Sequence, residues 1–352
     1  MAKRFLIWFW SRGGGSTFAV NLARRLSLQF GIDSVRLSLR ADDPALARAL
    51  ALGLDARGAD IVSDRRRPLT TLARLAHGRT MLQQHAYGVD TVIVAMNFAT
   101  AAPLAATLKL PLVYCAHDPA PHPGDYAQLG QFATQNLLLA RAERVVALSE
   151  FAALQLRARG VSRRLETAPL ASVFEPSPPR PRAGGPARFL FAGRMIAYKG
   201  LDLLAEAASR ISTRSDWRLT IAGAGPALDD KMATRFRLPQ VERVAREWVG
   251  DEELERLLAE SDALLAPYRS ATQSGMIAQA MALGTPCVAT PVGALLEQIE
   301  AGGWIARETS AEAFAAAMTR ALDGDRAAKA RAAHEIARAA WARDYWGWLA
   351  AL

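Results

Sequence analysis

Residues 116–126, AHDPAPHPGDY, hold His117, Asp118, His122 and Asp125 within nine residues. This is the densest group of proton-transfer side chains in the chain, and three interspersed prolines stiffen it. A carboxylate or imidazole on such a loop can take a proton from a hydroxyl within hydrogen-bond reach. The spacing matches no standard metal-ligand set, so no metal is expected. The alternative is structural, with Asp118 capping backbone amides.

A second group has different chemistry. In FAGRMIAYKG, Arg194 follows Gly193 and Lys199 precedes Gly200. A planar guanidinium fork and a point charge at a strand exit, beside a helix start, suit a diphosphate. The neighbouring exits are also suggestive. IAGAGP places Gly223 and Gly225, APYRSATQSG places Tyr268 and Arg269, and TPVGALLEQ places Gly293 with Glu297 one turn on.

SRGGGSTF offers Gly13, Gly14 and Gly15, then Ser16 as the expected helix cap. It reads as a site for an anion or an acceptor, or as a structural turn. Residues 271–286, ATQSGMIAQAMALGTP, contain no acid, base, cysteine or histidine. They can therefore bind but not transfer protons. Gln273 and Gln279 bring amide groups, and the amides of Ser274, Gly275, Met276 and Ile277 at a helix start are placed to hold phosphate oxygens.

Strand exits matter because in open parallel sheets ligands sit at the carboxyl ends of the strands. The chain alternates short apolar runs with helical patterns. KRFLIWFW, SVRLSLR, DTVIVAMN, LPLVYCAHD and RVVALS read as strands in the first half. RFLFAG, WRLTIAG, ALLAPY and PCVATP read as strands in the second. Residues 174–187, FEPSPPRPRAGGPA, break the pattern and read as a linker. The expected fold is α/β, with two doubly wound, Rossmann-like domains facing a cleft. Residues 1–175 form the first domain, 176–335 the second, and 336–352 a terminal helix packing back across their junction.

The 352 residues are 51% hydrophobic, enough for two cores. The net charge is +9, with +8 in residues 1–175 and +1 in the rest. A basic first half, including Arg65–Arg67, suits an anionic partner such as a lipid surface, a phosphate-bearing substrate or nucleic acid. Cys115 and Cys287 lie in apolar runs and read as buried thiols of a reducing compartment. The basic, apolar start reads as a first strand rather than a signal peptide. No run approaches a membrane span.

Together these residues resemble the GT-B glycosyltransferases, especially the large retaining class that includes sucrose synthase-like and lipopolysaccharide transferases. The resemblance covers nearly the whole chain and is strongest from Phe189 to Glu297. It implies that Arg194 and Lys199 grip the donor diphosphate. Gly193, Gly223, Tyr268, Arg269, Gln273, Ser274, Gly275, Met276, Ile277, Gln279 and Glu297 would complete the donor site. Gly13, Gly14, Gly15, Ser16, His122 and Asp125 would face the acceptor. His117 and Asp118 match the family's amino-domain His-Asp pair.

One departure is informative. The family's paired glutamates are replaced by Ala271 and Gln279. Gln279 can still hydrogen-bond to hydroxyls, but Ala271 can do no acid, base or anionic work. Proton transfer then falls to Asp118, or to His117 beside it, and an inverting single displacement fits; the alternatives are a retaining hexosyltransferase using UDP-glucose or GDP-mannose, or a catalytically inactive nucleotide-sugar-binding module. Loss of the carboxylate at 271 also removes repulsion against an acidic sugar, whose carboxylate Arg269 could pair. Similarity to bacterial exopolysaccharide glucuronosyltransferases implies a UDP-glucuronate donor and a polyprenyl-diphosphate-linked glycan acceptor. It also implies a cytoplasmic enzyme, peripheral at the inner membrane face through its basic first domain, with no nucleic acid partner.

Overall fold

The computed structural model describes residues 3–60, 68–120, 128–180 and 184–352. His122, Asp125 and Arg65–Arg67 lie outside the described residues. The chain divides into two compact units. One holds the described residues up to Pro169 together with Asp344–Leu352, and the other is Leu170–Arg343.

The first unit is built on seven strands. They are β1 (Phe5–Phe9), β2 (Val35–Arg40), β3 (Asp55–Ala59), β4 (Thr91–Val94), β5 (Leu112–Ala116), β6 (Arg144–Ala147) and β7 (Leu165–Thr167). Their order is β3-β2-β1-β4-β5-β6-β7, and every pairing is parallel. The second unit carries β8 (Ala187–Ala192), β9 (Trp217–Ala222), β10 (Val241–Ala245), β11 (Ala263–Ala266), β12 (Cys287–Ala289) and β13 (Gly303–Ile305). Their order is β10-β9-β8-β11-β12-β13, again parallel throughout. Both units are thus Rossmann-like layers of helices and parallel sheet.

Central strands are covered on both faces, so they need apolar side chains at every position. FLIWF of β1, LVYCA of β5 and ALLA of β11 are buried throughout. Phe5 of β1 lies opposite Val35 on one side and Thr91 on the other. Phe189 of β8 lies between Leu219 and Ala263. Strand order therefore reverses at β1/β4 and at β8/β11, the two places where a doubly wound sheet opens a crevice beyond its carboxyl edge.

The helix after β1 corrects one expectation. It spans Gly14–Phe30, with Gly13 at its N-cap and no side-chain cap. Gly13 has a φ of 106°, which lets the chain turn straight into the helix. Ser16 is therefore in the first turn and is not the cap. It is buried, and its Oγ donates to Asp43 Oδ2 at 2.5 Å. Asp43 Oδ1 meanwhile accepts from Ala45 N at 2.9 Å and caps the helix Pro44–Ala51. Gly15 has a packing reason, because a Cβ there would lie 2.4 Å from the Phe9 ring.

The stretch read as a linker is partly held by the second unit. Ser177 N donates to Ala282 O at 2.8 Å, and Pro179 fills the space beside Gly284. The terminal helix, expected over 336–352, instead begins at Arg326 and ends at Ala342. Asp344 Oδ1 then accepts from Trp346 N, from Gly347 N and from Gln29 Nε2. These bonds pin a 3-10 segment, Gly347–Ala351, within the first unit, with Trp346 fully buried.

The loops at the carboxyl edge of the second sheet touch backbone to backbone. A Cβ at Gly200 would fall 1.9 Å from Pro267 O, one at Gly223 1.9 Å from Gly193 O, and one at Gly293 1.5 Å from Ala271 O. Gly293→Ala is expected to destabilise the second unit by on the order of 3 kcal/mol or more, since backbone must move. Urea unfolding of the variant checks this, and an unchanged midpoint would refute the close contact.

Candidate functional site

At the exit of β5, His117 is buried among first-unit residues. Its Nε2 lies 3.0 Å from Ala95 O and its ring stands edge-on to Phe18, 4.6 Å between centroids. A carbonyl can only accept, so Nε2 carries the proton. Burial pushes the imidazole down to about 4, against the opposing pull of Asp118 and the Ala95 carbonyl. A neutral ring tied to the backbone is suited to orient a group rather than to cycle a proton. Asp118, the next residue, is half-buried.

This burial has a pH consequence. In the unfolded chain His117 binds a proton below about 6.5, whereas the folded form resists protonation until about 4. Stability should therefore fall as pH drops from 6.5 to 4, by about 3 kcal/mol from His117 alone. His85, also held near 4 chiefly by burial, acts in the same direction. His117→Gln should flatten the acid limb of stability measured by urea unfolding. An unaltered limb would contradict the assignment.

The glycine turn after β1 neighbours a charged group at the exit of β2. Arg12 donates to Asp42 Oδ2 at 2.5 Å, and Arg40 grips the same carboxylate. Asp42 is held down to about 2, first by the Arg40 hydrogen bond. The cation nearest the Gly13–Gly15 turn in sequence is thus already paired.

In the second unit the β8 and β11 exits meet. Arg269 N donates to Tyr198 O at 2.7 Å. Lys199 Nζ sits 3.7 Å above the Tyr268 ring centroid and 5.6 Å from that of Tyr198. Tyr268 is buried, which pushes its hydroxyl up to about 12, so it stays a neutral platform under the ammonium. Arg194 is exposed. Gly193 has a φ of 115° and lies against Met276.

Arg269 is not idle. Its guanidinium pairs with Asp202 Oδ2 at 2.5 Å. Burial raises the Asp202 carboxyl, but the Arg269 hydrogen bond and charge leave it below its ordinary value. A groove of about 550 Å³ lies here, walled by Tyr198, Asp202, Pro226, Lys231, Arg235 and Arg269.

The helix Gly275–Ala282 begins at Ser274, whose Oγ accepts from Ile277 N at 3.4 Å. Ser274 N donates to Gln298 Oε1 at 2.8 Å, and Gln298 Nε2 reaches back to Ser274 O at 3.4 Å. Two of the four amides expected to meet phosphate are therefore engaged within the chain, which leaves those of Gly275 and Met276. Ala271 and Gln279 are buried, Gln273 is half-buried, and Glu297 is exposed on the helix Leu295–Ile299.

Several partners were invisible to motif reading, among them Gln298, Gln135 and Arg159. Gln135 Nε2 donates to Asp118 O at 2.8 Å, and Arg159 donates to Pro119 O. The available signal was a glutamine on the same helical face as Leu138, Leu139 and Ala142. Among the described residues, no three His, Cys, Asp or Glu side chains form a metal-binding group. Nor is any described helix long and apolar enough to cross a membrane.

Comparison with known proteins agrees with this architecture. Residues 13–171 match the family described as glycosyl transferase 4-like domain, and residues 186–324 match glycosyl transferases group 1. The fold is of the GT-B type, and each half of the chain matches a glycosyltransferase family model. Over part of its length the chain is also similar to proteins named as exopolysaccharide biosynthesis glycosyltransferases. The amylovoran biosynthesis glycosyltransferase AmsK of Erwinia amylovora is 31% identical over 152 residues, which is 40% of this chain and 37% of that protein. Matches to the curated relatives span only 29% to 37% of those proteins' length. HepE of Anabaena, solved with UDP-glucose, superposes with a TM-score of 0.70 at 17% identity, over 96% of this chain and 95% of HepE. Sucrose-phosphate synthase of Thermosynechococcus elongatus gives 0.70 at 18% identity, over 96% and 95%. These two structures share the fold.

Proposed function

We propose that this protein transfers a sugar from a nucleoside diphosphate donor to a hydroxyl of a glycan acceptor. The observation that carries the reading is the cationic exit of β8. Arg194 stands exposed there and Lys199 is propped over Tyr268, at the point where strand order reverses. In this scheme the second unit binds the donor. Arg194, Lys199 and the Gly275 and Met276 amides take the diphosphate, and Gln279 takes hydroxyls. Asp118 removes the acceptor proton, and the resulting oxygen attacks the anomeric carbon. The bond from that carbon to the diphosphate oxygen breaks, and the nucleoside diphosphate leaves with the electron pair. The cations stabilise the charge that builds on it. A single displacement of this kind inverts the anomeric centre.

The finer assignment is a UDP-glucuronate donor and a polyprenyl-diphosphate-linked glycan acceptor. The basic residues 1–175 would rest on an anionic inner membrane face. The alanine at 271 and the charge asymmetry support it. The Arg269–Asp202 pair favours a second reading, since a glucuronate carboxylate would have to displace Asp202. A neutral hexose donor such as UDP-glucose, the ligand named for HepE, needs no such exchange.

A thermal-shift screen with UDP-glucuronate, UDP-glucose, GDP-mannose and the bare diphosphates tests the donor. Release of nucleoside diphosphate with lipid extract tests transfer. A protein that answers to no nucleotide sugar and no diphosphate would overturn the proposal.

A further inference from the structure

We propose that Gln135 and Arg159 are positioning residues that hold the Asp118–Pro119 turn in its working geometry. The inference rests on the reading of Asp118 as the proton acceptor.

Asp118 lies on the exit of β5, two residues beyond the strand's end at Ala116. Two successive carbonyls are held by side chains from later in the first unit. Gln135, on the helix Gln128–Arg141, is buried and donates from Nε2 to Asp118 O at 2.8 Å and to Tyr114 Oη at 3.2 Å. Arg159, just after the helix Glu150–Ala158, donates to Pro119 O from Nη1. The two braces are themselves joined, because Arg159 Nη1 also donates to Gln135 Oε1 at 3.2 Å. The guanidinium is fixed from two further directions. Nη2 donates to Asn136 Oδ1 at 2.5 Å, and the Phe132 ring lies 4.6 Å from its central carbon.

Such an arrangement is costly to assemble merely to satisfy carbonyls, which water could serve at a loop. Gln135 spends both its donor and its acceptor, and Arg159 gives up part of its hydration. A neighbouring tie extends the pattern. Thr134, one residue before Gln135, exchanges hydrogen bonds with Asn97 beyond β4 at 3.2 Å and 3.4 Å. His117 in turn donates to Ala95 O. One helix thus ties down the exits of β4 and β5 together. With the Asp118–Pro119 and Pro119–Ala120 peptides anchored after it and β5 ending two residues before it, the direction in which the Asp118 side chain leaves the backbone is set before substrate arrives. A proton acceptor displaced by even 1 Å loses much of its advantage.

The test uses the full chain with Gln135→Leu, Arg159→Met and Arg159→Lys. Each is measured for thermal stability, for affinity to the nucleoside diphosphate by calorimetry, and for kcat and KM. Gln135→Leu and Arg159→Met should lower kcat by roughly 10- to 100-fold while donor affinity stays within about twofold. Arg159→Lys should recover part of the loss, since an ammonium can still reach Pro119 O. In an Asp118→Glu background, where the carboxylate is already misplaced, Gln135→Leu should cost much less than in the parent.

Unchanged kcat in a folded Gln135→Leu or Arg159→Met protein would overturn the proposal. So would a loss equally large in the Asp118→Glu background, which would mark a general structural role. If Gln135→Leu does not fold, the more exposed Arg159 pair gives the same reading. Failure of the underlying assignment looks different: Asp118→Asn would retain turnover whatever the braces do.

Discussion

Asp118→Asn is expected to lower kcat by about 10³-fold and to leave nucleoside diphosphate affinity unchanged. The change removes one basic oxygen and keeps the side chain's size. The main chain at 118 and 119 stays anchored by Gln135 and Arg159, so the loop should not collapse. The proposed donor groups all lie in the second unit, and the substitution lies in the first. Loss of turnover with intact binding would therefore locate the defect in proton removal. Steady-state kinetics and calorimetry on the same preparation check both halves. Wild-type turnover would transfer the role elsewhere in residues 117–125.

Lys199→Met should weaken binding of the bare nucleoside diphosphate and lower kcat/KM by roughly 10²- to 10³-fold, the scale of losing one preorganised charge from a transition state. Methionine keeps much of the stem that crosses Tyr268 and deletes the ammonium. Tyr268→Leu makes the complementary case. It keeps the charge but removes the ring 3.7 Å beneath it, so a smaller loss is expected, from a lysine less well held. Diphosphate affinity equal to wild type in Lys199→Met would end the assignment of the β8 exit as the donor site.

The sequence disclosed most of what lies at the centres of the two sheets. Strands such as FLIWF and ALLA are covered on both faces, and that demand is written as uninterrupted apolar runs. Edge strands are not so constrained. DARGA of β3 carries both an acid and a base, and of VERVA in β10 only Ala245 is buried. Neither shows a strand signature. The same logic applies to the site. Arg194 and Lys199 are visible because charge beside glycine at a strand exit is locally conspicuous. The pairing of Arg269 with Asp202, the seizure of two helix-start amides by Ser274 and Gln298, and the braces from Gln135 and Arg159 all join residues distant in sequence or unremarkable in type. Ser16 departs from its expected role for a local reason, since the glycines before it place the cap three residues earlier, at Gly13.

The glycine contacts at the edge of the second sheet bear on how this protein could acquire a new donor preference. With Gly200, Gly223 and Gly293 each abutting a neighbouring carbonyl, the connecting segments have almost no room to be rethreaded. Little ordering entropy remains to be lost when a ligand arrives, and that favours affinity. The same stiffness closes off main-chain remodelling as a path to altered specificity. Divergence among descendants of this scaffold should therefore accumulate in outward side chains such as Arg194 and Arg269, with the backbone beneath them unchanged.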